Sequence, residues 1–564
     1  MTPRVSNRRI RLLLGVFVLV FAGVFARAVW LQGVQAGTLE QMALRQQRET
    51  DTIPAGRGTI YDRTGEPLAI GEQATTVFAD PRQVKDPRAV AVAAAQILEV
   101  DPNELYPQLA DRARHFVYIK RKADPEEAEA MRKENLAGVA FYSEERRTYP
   151  QRGVAAHVLG FAGIDNDGLD GLEKGLDPQL VGKPGSQTII RDPVGRAIDV
   201  VEVKPERQGD DVHLTIDHRL QANAEAVLRR TLERWNALGG HAIVLEPQTG
   251  RVLAMAVAPG FDANNFGNVA PERRKNRAVT DVYEPGSTFK VVTVAAALSE
   301  KLVTPTTRFL LKNSIQVSDR VISEHEWRPT KRMSVAQILS QSSNVGTITL
   351  AQKVTRTATG MSGWIERFGF GKPTGIDFPG ESAGIVVPPE GWSGSTIGNL
   401  PIGQGIGVTG LQMAAAYGAI ANGGVLRRPH LVESVGGKRS GVGPGRRIIS
   451  RTVAAQLMTM LRDVVAADGG TGALAAIPGY TVAGKTGTAA KPERGGYSTS
   501  RYVASFVGVV PAKKPELVVL VSIDEPKGAI WGGVVAAPAF ADIASFGLQY
   551  LEIAPDAAPR ADEG

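Results

Sequence analysis

Arg4, Arg8, Arg9 and Arg11 stand without an acidic neighbour, and the chain then runs apolar and uncharged from Leu12 to Ala26. This pattern constrains the fold more than any other, because an arginine-flanked apolar run directs the chain to a membrane and divides it into two compartments. Continued through Arg27 to Leu31, the run has twenty residues, which as a helix is about 30 Å, the thickness of a bilayer core. Trp30 suits the far interface, and Arg27 can snorkel toward it. The competing reading is a cleaved signal peptide ending at Ala26-Arg27-Ala28; the length of the run favours a retained anchor. The basic end is expected to stay cytoplasmic and everything after Leu31 to lie outside.

A chain of 564 residues should hold about three domains. It has no cysteine, which excludes disulfides, thiolate metal sites and cysteine nucleophiles. Its net charge of +7 is ordinary and does not suggest nucleic acid. Thr38 to Glu49 reads as a polar helix, Arg57 to Ile70 as two short strands around a turn, and Pro125 to Asn135 as an acidic helix. From about Val212 the pattern changes. An amphipathic helix from His218 to Asn236 precedes a hairpin of His241–Leu245 and Arg251–Val257. Strands Tyr502–Val510 and Glu516–Ile523 and a helix from Pro538 to Leu551 close the chain. The expectation is an α+β fold: a basic tail over 1–11, a transmembrane helix over 12–31, an elongated mixed pedestal over 32–208, a domain with an antiparallel sheet flanked by helices over 209–552, and a tail over 553–564.

Within the larger domain, Glu284-Pro285-Gly286-Ser287-Thr288-Phe289-Lys290 opens a helix that stays apolar to Leu298. Ser287 and Lys290, three apart, share one face of its first turn. A lysine in so apolar a helix is disfavoured in its charged form and can act as a neutral amine that takes the hydroxyl proton of Ser287. A lone S-x-x-K is more often a helix cap with a snorkelling lysine. Two further motifs alter that balance: Ser342-Ser343-Asn344, an S-x-N, and Lys485-Thr486-Gly487-Thr488, a K-T-G-T. Each is weak alone, but together they stand in the order S-x-x-K, S-x-N, K-T-G that marks penicillin-interacting serine enzymes.

With these motifs, the Arg57 to Ala69 segment, Arg277-Ala278-Val279-Thr280-Asp281, Gly403-Gln404-Gly405 and Gly532-Gly533, the chain resembles the class B penicillin-binding proteins, and among them the septal FtsI type. Asp170 stands where the family usually has glutamate, a departure that touches only a pedestal contact. The resemblance implies a peptidoglycan D,D-transpeptidase of the bacterial inner membrane, with its catalytic domain periplasmic or extracellular. In it Ser287 attacks the D-Ala-D-Ala bond of a stem pentapeptide and Lys290 is the base. Ser342 and Asn344 relay a proton and hold the donor peptide, Lys485, Thr486 and Thr488 receive its terminal carboxylate, and Gly487 leaves the strand edge open. The resemblance further implies β-lactams as inhibitors, an FtsW-type glycan polymerase and other division proteins as partners, and neither metal nor cofactor.

The alternatives are an elongation-type transpeptidase, a D,D-carboxypeptidase, and a silent β-lactam-binding scaffold. A different chemistry comes from Gly479-Tyr480-Thr481-Val482-Ala483-Gly484-Lys485-Thr486, which matches the phosphate-binding G-x-x-x-x-G-K-[ST] pattern. That pattern requires a helix after the lysine, and Gly487 and Pro492 argue against one.

Overall fold

The computed structural model describes residues 7–35, 37, 48–191, 197–441, 443–467 and 469–557. The chain divides into two compact units, residues 1–56 with 182–209, and residues 57–181 with 210–564.

In the first unit, helix Asn7–Val29 continues as a π-helical turn over Trp30–Val34. Among the described residues this is the one helix long and apolar enough to cross a membrane. Separately, strands Arg48–Ile53, Gly185–Arg191 and Ala197–Lys204 form an antiparallel sheet with Gly185–Arg191 in the centre. The helix expected over Thr38 to Glu49 lies mostly outside the described residues. Its last two positions, Arg48 and Glu49, belong to the first of these strands, because the ladder to Ile189 and Ile190 overrides local helix propensity.

The second unit holds most of the core. One mixed sheet runs from residues before 181 into residues after 210: Val212–Leu214 pairs in parallel with Ile60–Tyr61, which pairs with Pro67–Ala79. The Arg57 to Ile70 segment therefore has a structural logic. Arg57, Arg147 and Glu173 are buried; Arg57 Nε donates to Glu173 Oε2 at 2.7 Å and Arg147 Nε to Glu173 Oε1 at 2.7 Å. Arg57 also reaches Asp177 at 2.7 Å. Asp62 accepts from Thr64 N at 2.7 Å and Glu66 N at 2.9 Å, closing the turn, and holds His218 Nδ1 at 2.6 Å. Burial pushes the Asp62 carboxyl up, but the hydrogen bonds from His218 and Thr64 outweigh it and hold it below the usual range. Asp62, Asp217 and His218 bring ligand atoms within 4.8 Å of one another. Asp217 is already engaged, capping the next helix through Arg219 N and Leu220 N and pairing with Arg63, so the trio reads as a structural clasp. Asp170 caps the short helix that carries Glu173, accepting from Gly171 N at 2.8 Å.

Removing one partner from a buried ionic network leaves the others uncompensated. Glu173→Ala, which strands the Arg147 guanidinium and leaves Arg57 with Asp177 alone, is expected to destabilise the unit by about 3–5 kcal/mol. A chemical-denaturation midpoint equal to that of the parent protein would contradict this reading of the network.

The larger part of this unit is built on helices α1 (His218–Trp235), α2 (Lys290–Ser299), α3 (Asn344–Val354), α4 (Gly360–Arg367), α5 (Gly410–Ala421), α6 (Arg451–Ala466) and α7 (Gly532–Tyr550). They surround a sheet of five strands, β1 (Gly239–Leu245), β2 (Val252–Ala258), β3 (Ala483–Glu493), β4 (Gly496–Val510) and β5 (Leu517–Asp524). The strands are antiparallel throughout in the order β2-β1-β5-β4-β3. The sheet is buried on both faces, and side-chain alternation sorts its residues. Ile243, Val507, Val518 and Leu520 join the core of α2, α5 and α6, whereas Ala242, Val244, Phe506, Val519 and Val521 join that of α1 and α7.

α7 begins at Gly532, six residues before the expected Pro538, and tolerates the proline inside its second turn. The reason is close packing of its first residue: a Cβ at Gly532 would stand 2.2 Å from Ser505 O and 2.3 Å from Gly487 O. That contact anchors the helix start, and the hydrogen bond Pro538 cannot donate is a local loss of the usual kind.

Candidate active site

Ser287 lies on a 3-10 turn, Gly286–Phe289, that feeds directly into α2. The sequence pattern predicts one continuous helix here; the tighter turn arises because Gly286 takes φ +53°, which a residue with a side chain adopts only at a cost. A Cβ at Gly286 would sit 2.9 Å from Thr488 O, and one at Gly403 would sit 2.2 Å from Gly286 O. Thr288 Oγ1 donates to Pro285 O at 2.8 Å, and Tyr417 OH donates to Thr288 O at 2.8 Å. The turn is thus clamped on all sides except that of Ser287, which is partly exposed. In 3-10 geometry residues i and i+3 eclipse, so Lys290 falls on the same side as Ser287.

Lys290 is fully buried. Its Nζ donates to Ser342 O at 2.6 Å, Asn344 Oδ1 at 2.6 Å and Ser342 Oγ at 3.2 Å. All three acceptors are neutral. Burial pulls the amine down to about 7, against the opposing influence of the Glu324 charge. To present both oxygens to the lysine, Ser342 adopts φ +59°, an unfavourable conformation for serine held by its surroundings. Ser343 caps α3, accepting from Gly346 N at 3.0 Å.

Those surroundings include a residue that sequence reasoning missed. Glu324 accepts Ser343 Oγ at 2.5 Å through one oxygen and Asn344 N at 2.7 Å through the other, and it pairs with Arg328. It therefore fixes the segment that fixes Lys290. Ser323 O takes a further bond, from Asn344 Nδ2 at 3.1 Å. Within Ser323-Glu324-His325-Glu326-Trp327-Arg328, Glu324 has no distinguishing signal, since its partners lie 19 and 20 residues downstream.

The third motif lies on β3, at the edge of the sheet. Lys485 is fully buried, with Thr486 O at 3.2 Å and Thr486 Oγ1 at 3.3 Å; burial, then the Lys290 charge, pull its amine well below the lysine range. Thr486 Oγ1 shares a hydrogen bond of 2.8 Å with Thr471, and Thr488 Oγ1 accepts Gly532 N at 3.1 Å. Gly487 is where β3 touches the Ser287 turn. A Cβ there would meet Ser505 Oγ at 2.3 Å, Thr288 Cγ2 at 2.9 Å and Pro285 O at 3.0 Å. Lys485 and Thr486 sit inside a strand, so the phosphate-loop reading, which needs them at the start of a helix, is set aside.

The structure thus joins Lys290, Ser342 and Asn344 by hydrogen bonds and sets Lys485, Thr486, Gly487 and Thr488 on the strand that meets the Ser287 turn, while the Ser287 hydroxyl itself makes no hydrogen bond among the described residues. This constellation can bring a hydroxyl, a neutral amine and a free strand edge to one bond, which is the equipment for acyl transfer through a serine ester. Two further groups border it: Glu284, which accepts Gly405 N at 2.9 Å and Tyr497 OH at 3.1 Å, and His325, edge-on to Trp531 with centroids 4.6 Å apart.

Residues 240–545 match the penicillin binding protein transpeptidase domain, and residues 52–214 the penicillin-binding protein dimerisation domain. The probable peptidoglycan D,D-transpeptidase PenA of Neisseria meningitidis is 34% identical over 560 residues, covering 98% of this chain and 94% of that protein. The peptidoglycan D,D-transpeptidase FtsI of Escherichia coli is 33% identical over 565 residues, again covering 98% and 94%. Stage V sporulation protein D of Bacillus subtilis is 34% identical over 572 residues, covering 98% and 88%. Among solved structures, penicillin binding protein 3 of Mycobacterium tuberculosis complexed with aztreonam superposes with a TM-score of 0.70 at 29% identity, covering 90% of this chain and 99% of that one. A peptidoglycan synthetase from Bifidobacterium adolescentis gives 0.72 at 27%, covering 91% and 98%.

Proposed function

The chain belongs to the class B penicillin-binding proteins, with their transpeptidase and dimerisation domains, and from that premise we propose that it is a peptidoglycan D,D-transpeptidase whose nucleophile is Ser287. The observation that carries the chemistry is the Lys290 amine, fully buried among neutral groups and brought down to about 7, whose neutral form can keep the two short donor bonds to Ser342 O and Asn344 Oδ1 and free a lone pair. An amine so placed is substantially unprotonated at neutral pH and takes the Ser287 proton as the oxygen adds to the carbonyl between two terminal D-alanines. The last D-alanine leaves as an amine after protonation through Ser342, and an acyl-enzyme remains. The backbone N–H groups of Ser287 and Thr488 receive the carbonyl oxygen, a role typically worth about 10²–10³-fold per donor. The stem peptide lies as an added strand on the open edge of β3, its amide held by Asn344. Its carboxylate meets Lys485, Thr486 and Thr488, and restores charge to the Lys485 amine. A second stem peptide's amine then takes the acyl group.

Glu324 is a positioning residue in this scheme. Glu324→Ala is expected to slow β-lactam acylation by about 10–100-fold, consistent with the about 1–3 kcal/mol lost when buried partners go unmet. Glu324→Asp should recover part of the rate. Stopped-flow acylation at parental speed in Glu324→Ala would remove it from the scheme.

We further propose that the protein works at the septum, anchored by its first helix with Arg4, Arg8, Arg9 and Arg11 in the cytoplasm and the remainder outside, beside an FtsW-type glycan polymerase and other division proteins. The near full-length similarity to FtsI and the basic flank of the helix support this. Depletion in the source cell decides between septal and elongation roles: filaments with unfinished septa are expected, whereas swollen, rounded cells would assign it to elongation.

A further inference from the structure

Away from the serine, α4, α5 and the segments after them line an open cavity of about 590 Å3 that carries exposed Arg367, Arg428, Arg446 and Lys372 and half-buried Arg427, with one carboxylate, Glu366. That carboxylate is already held by Lys372 Nζ at 2.6 Å. Among the described residues none of the four guanidiniums lies within ion-pair distance of an acid, and only Arg446 acts on the Glu366 charge from farther off. Arg446 donates to Arg367 O at 2.8 Å, Arg427 Nη1 to Gly443 O at 3.4 Å, and Arg367 lies over the Trp364 ring at 4.8 Å. Arg427 Nε is buried with no acceptor at all.

Elsewhere in the unit Arg57 and Arg147 share Glu173, and Arg251 has Glu433 at 2.8 Å. Four guanidiniums without an ion pair around one hollow repel each other, and a concave wall concentrates their field. The group that relieves this is a multiply charged oxyanion, and the planar guanidinium fork matches phosphate oxygens two at a time.

We propose that this cavity is a binding site for a phosphate-bearing ligand, held by Arg367, Arg427, Arg428 and Arg446. The cavity is large enough for two linked phosphates, so the same chemistry is offered by the diphosphate of a lipid-linked precursor and by the phosphodiester of a headgroup or wall polymer. The inference does not depend on the transpeptidase reading, because none of these residues belongs to that constellation.

The test uses the full chain in neutral detergent at fixed ionic strength, with calorimetric titration of inorganic pyrophosphate and, separately, of glycerophosphoglycerol. The parent protein is compared with Arg427→Gln/Arg428→Gln/Arg446→Gln and with a charge-matched control, Arg229→Gln/Arg230→Gln/Arg234→Gln, on the exposed face of α1. Penicillin acylation checks that all three are folded. Saturable binding by the parent is expected, weakened at least about tenfold in the cavity variant, since each lost charged hydrogen bond is of that order, and unchanged in the control. Tighter pyrophosphate binding assigns the diphosphate source, and tighter diester binding the other. No saturable binding of either probe, or equal weakening in the control, overturns the proposal.

Discussion

Ser287→Ala is expected to abolish covalent capture of a penicillin. Intact-mass spectra of the parent protein should gain one adduct, mapped by peptide analysis to Ser287, and spectra of the variant should gain none. Transpeptidation should fall by at least about 10³-fold, the usual scale for loss of a nucleophile that works with a base as a unit. Stability should change by no more than about 0.5 kcal/mol, because the side chain is partly exposed on a turn clamped by its backbone. An adduct that persists in the variant would move the nucleophile elsewhere.

The second large effect concerns the proton. In the parent protein the acylation rate should rise with pH through about 7, since the Lys290 amine sits near that value and only its unprotonated form can accept the Ser287 proton. The direction comes from burial, which disfavours the ammonium ion, so the active form gains population as pH increases. Lys290→Arg keeps a cation but has no accessible neutral form, and should lose acylation by about 10²–10⁴-fold, the range of a general base. Arginine is also larger than the fully enclosed space around Lys290, so the pH profile of the parent is the independent check. A rate flat from about pH 6 to about pH 9 would exclude the neutral amine even if the variant were inactive.

Much of this site is legible in the sequence because its parts are local. Ser287 and Lys290 share a turn at spacing three, and Lys485 to Thr488 form four consecutive strand positions, so each motif carries its geometry with it. Four of the five strands of the sheet are legible for a similar reason, in apolar runs such as Leu517 to Ile523 bounded by turn residues. What is hidden depends on contacts distant in sequence. Glu324 acquires its role only when a hairpin brings it to Ser343 and Asn344. Thr471 and Tyr417 reach the site from other elements, touching Thr486 and Thr288. The start of α7 is misread because Pro538 looks like a first-turn residue, while the contact that sets the boundary is the approach of Gly532 to two carbonyl oxygens. The phosphate-loop pattern misleads in the opposite sense: its residue types are all present, and the strand they occupy gives them another use.

The glycines around the serine have an implication for inhibitor escape. Gly286, Gly403, Gly487 and Gly532 each bring backbone so close to a neighbour that a Cβ would fall 2.2 to 3.0 Å from a main-chain oxygen. A population under β-lactam selection therefore gains nothing by substituting them, since each change would displace the backbone of the Ser287 turn or of β3 along with the drug. Adaptive variation is channelled to side chains at the mouth, such as Trp531, edge-on to His325 with 39% of its surface exposed. Substitutions there can reshape an inhibitor's fit while the backbone cage around Ser287 stays as it is, so resistance in this protein should accumulate as graded losses of affinity rather than as a single decisive replacement.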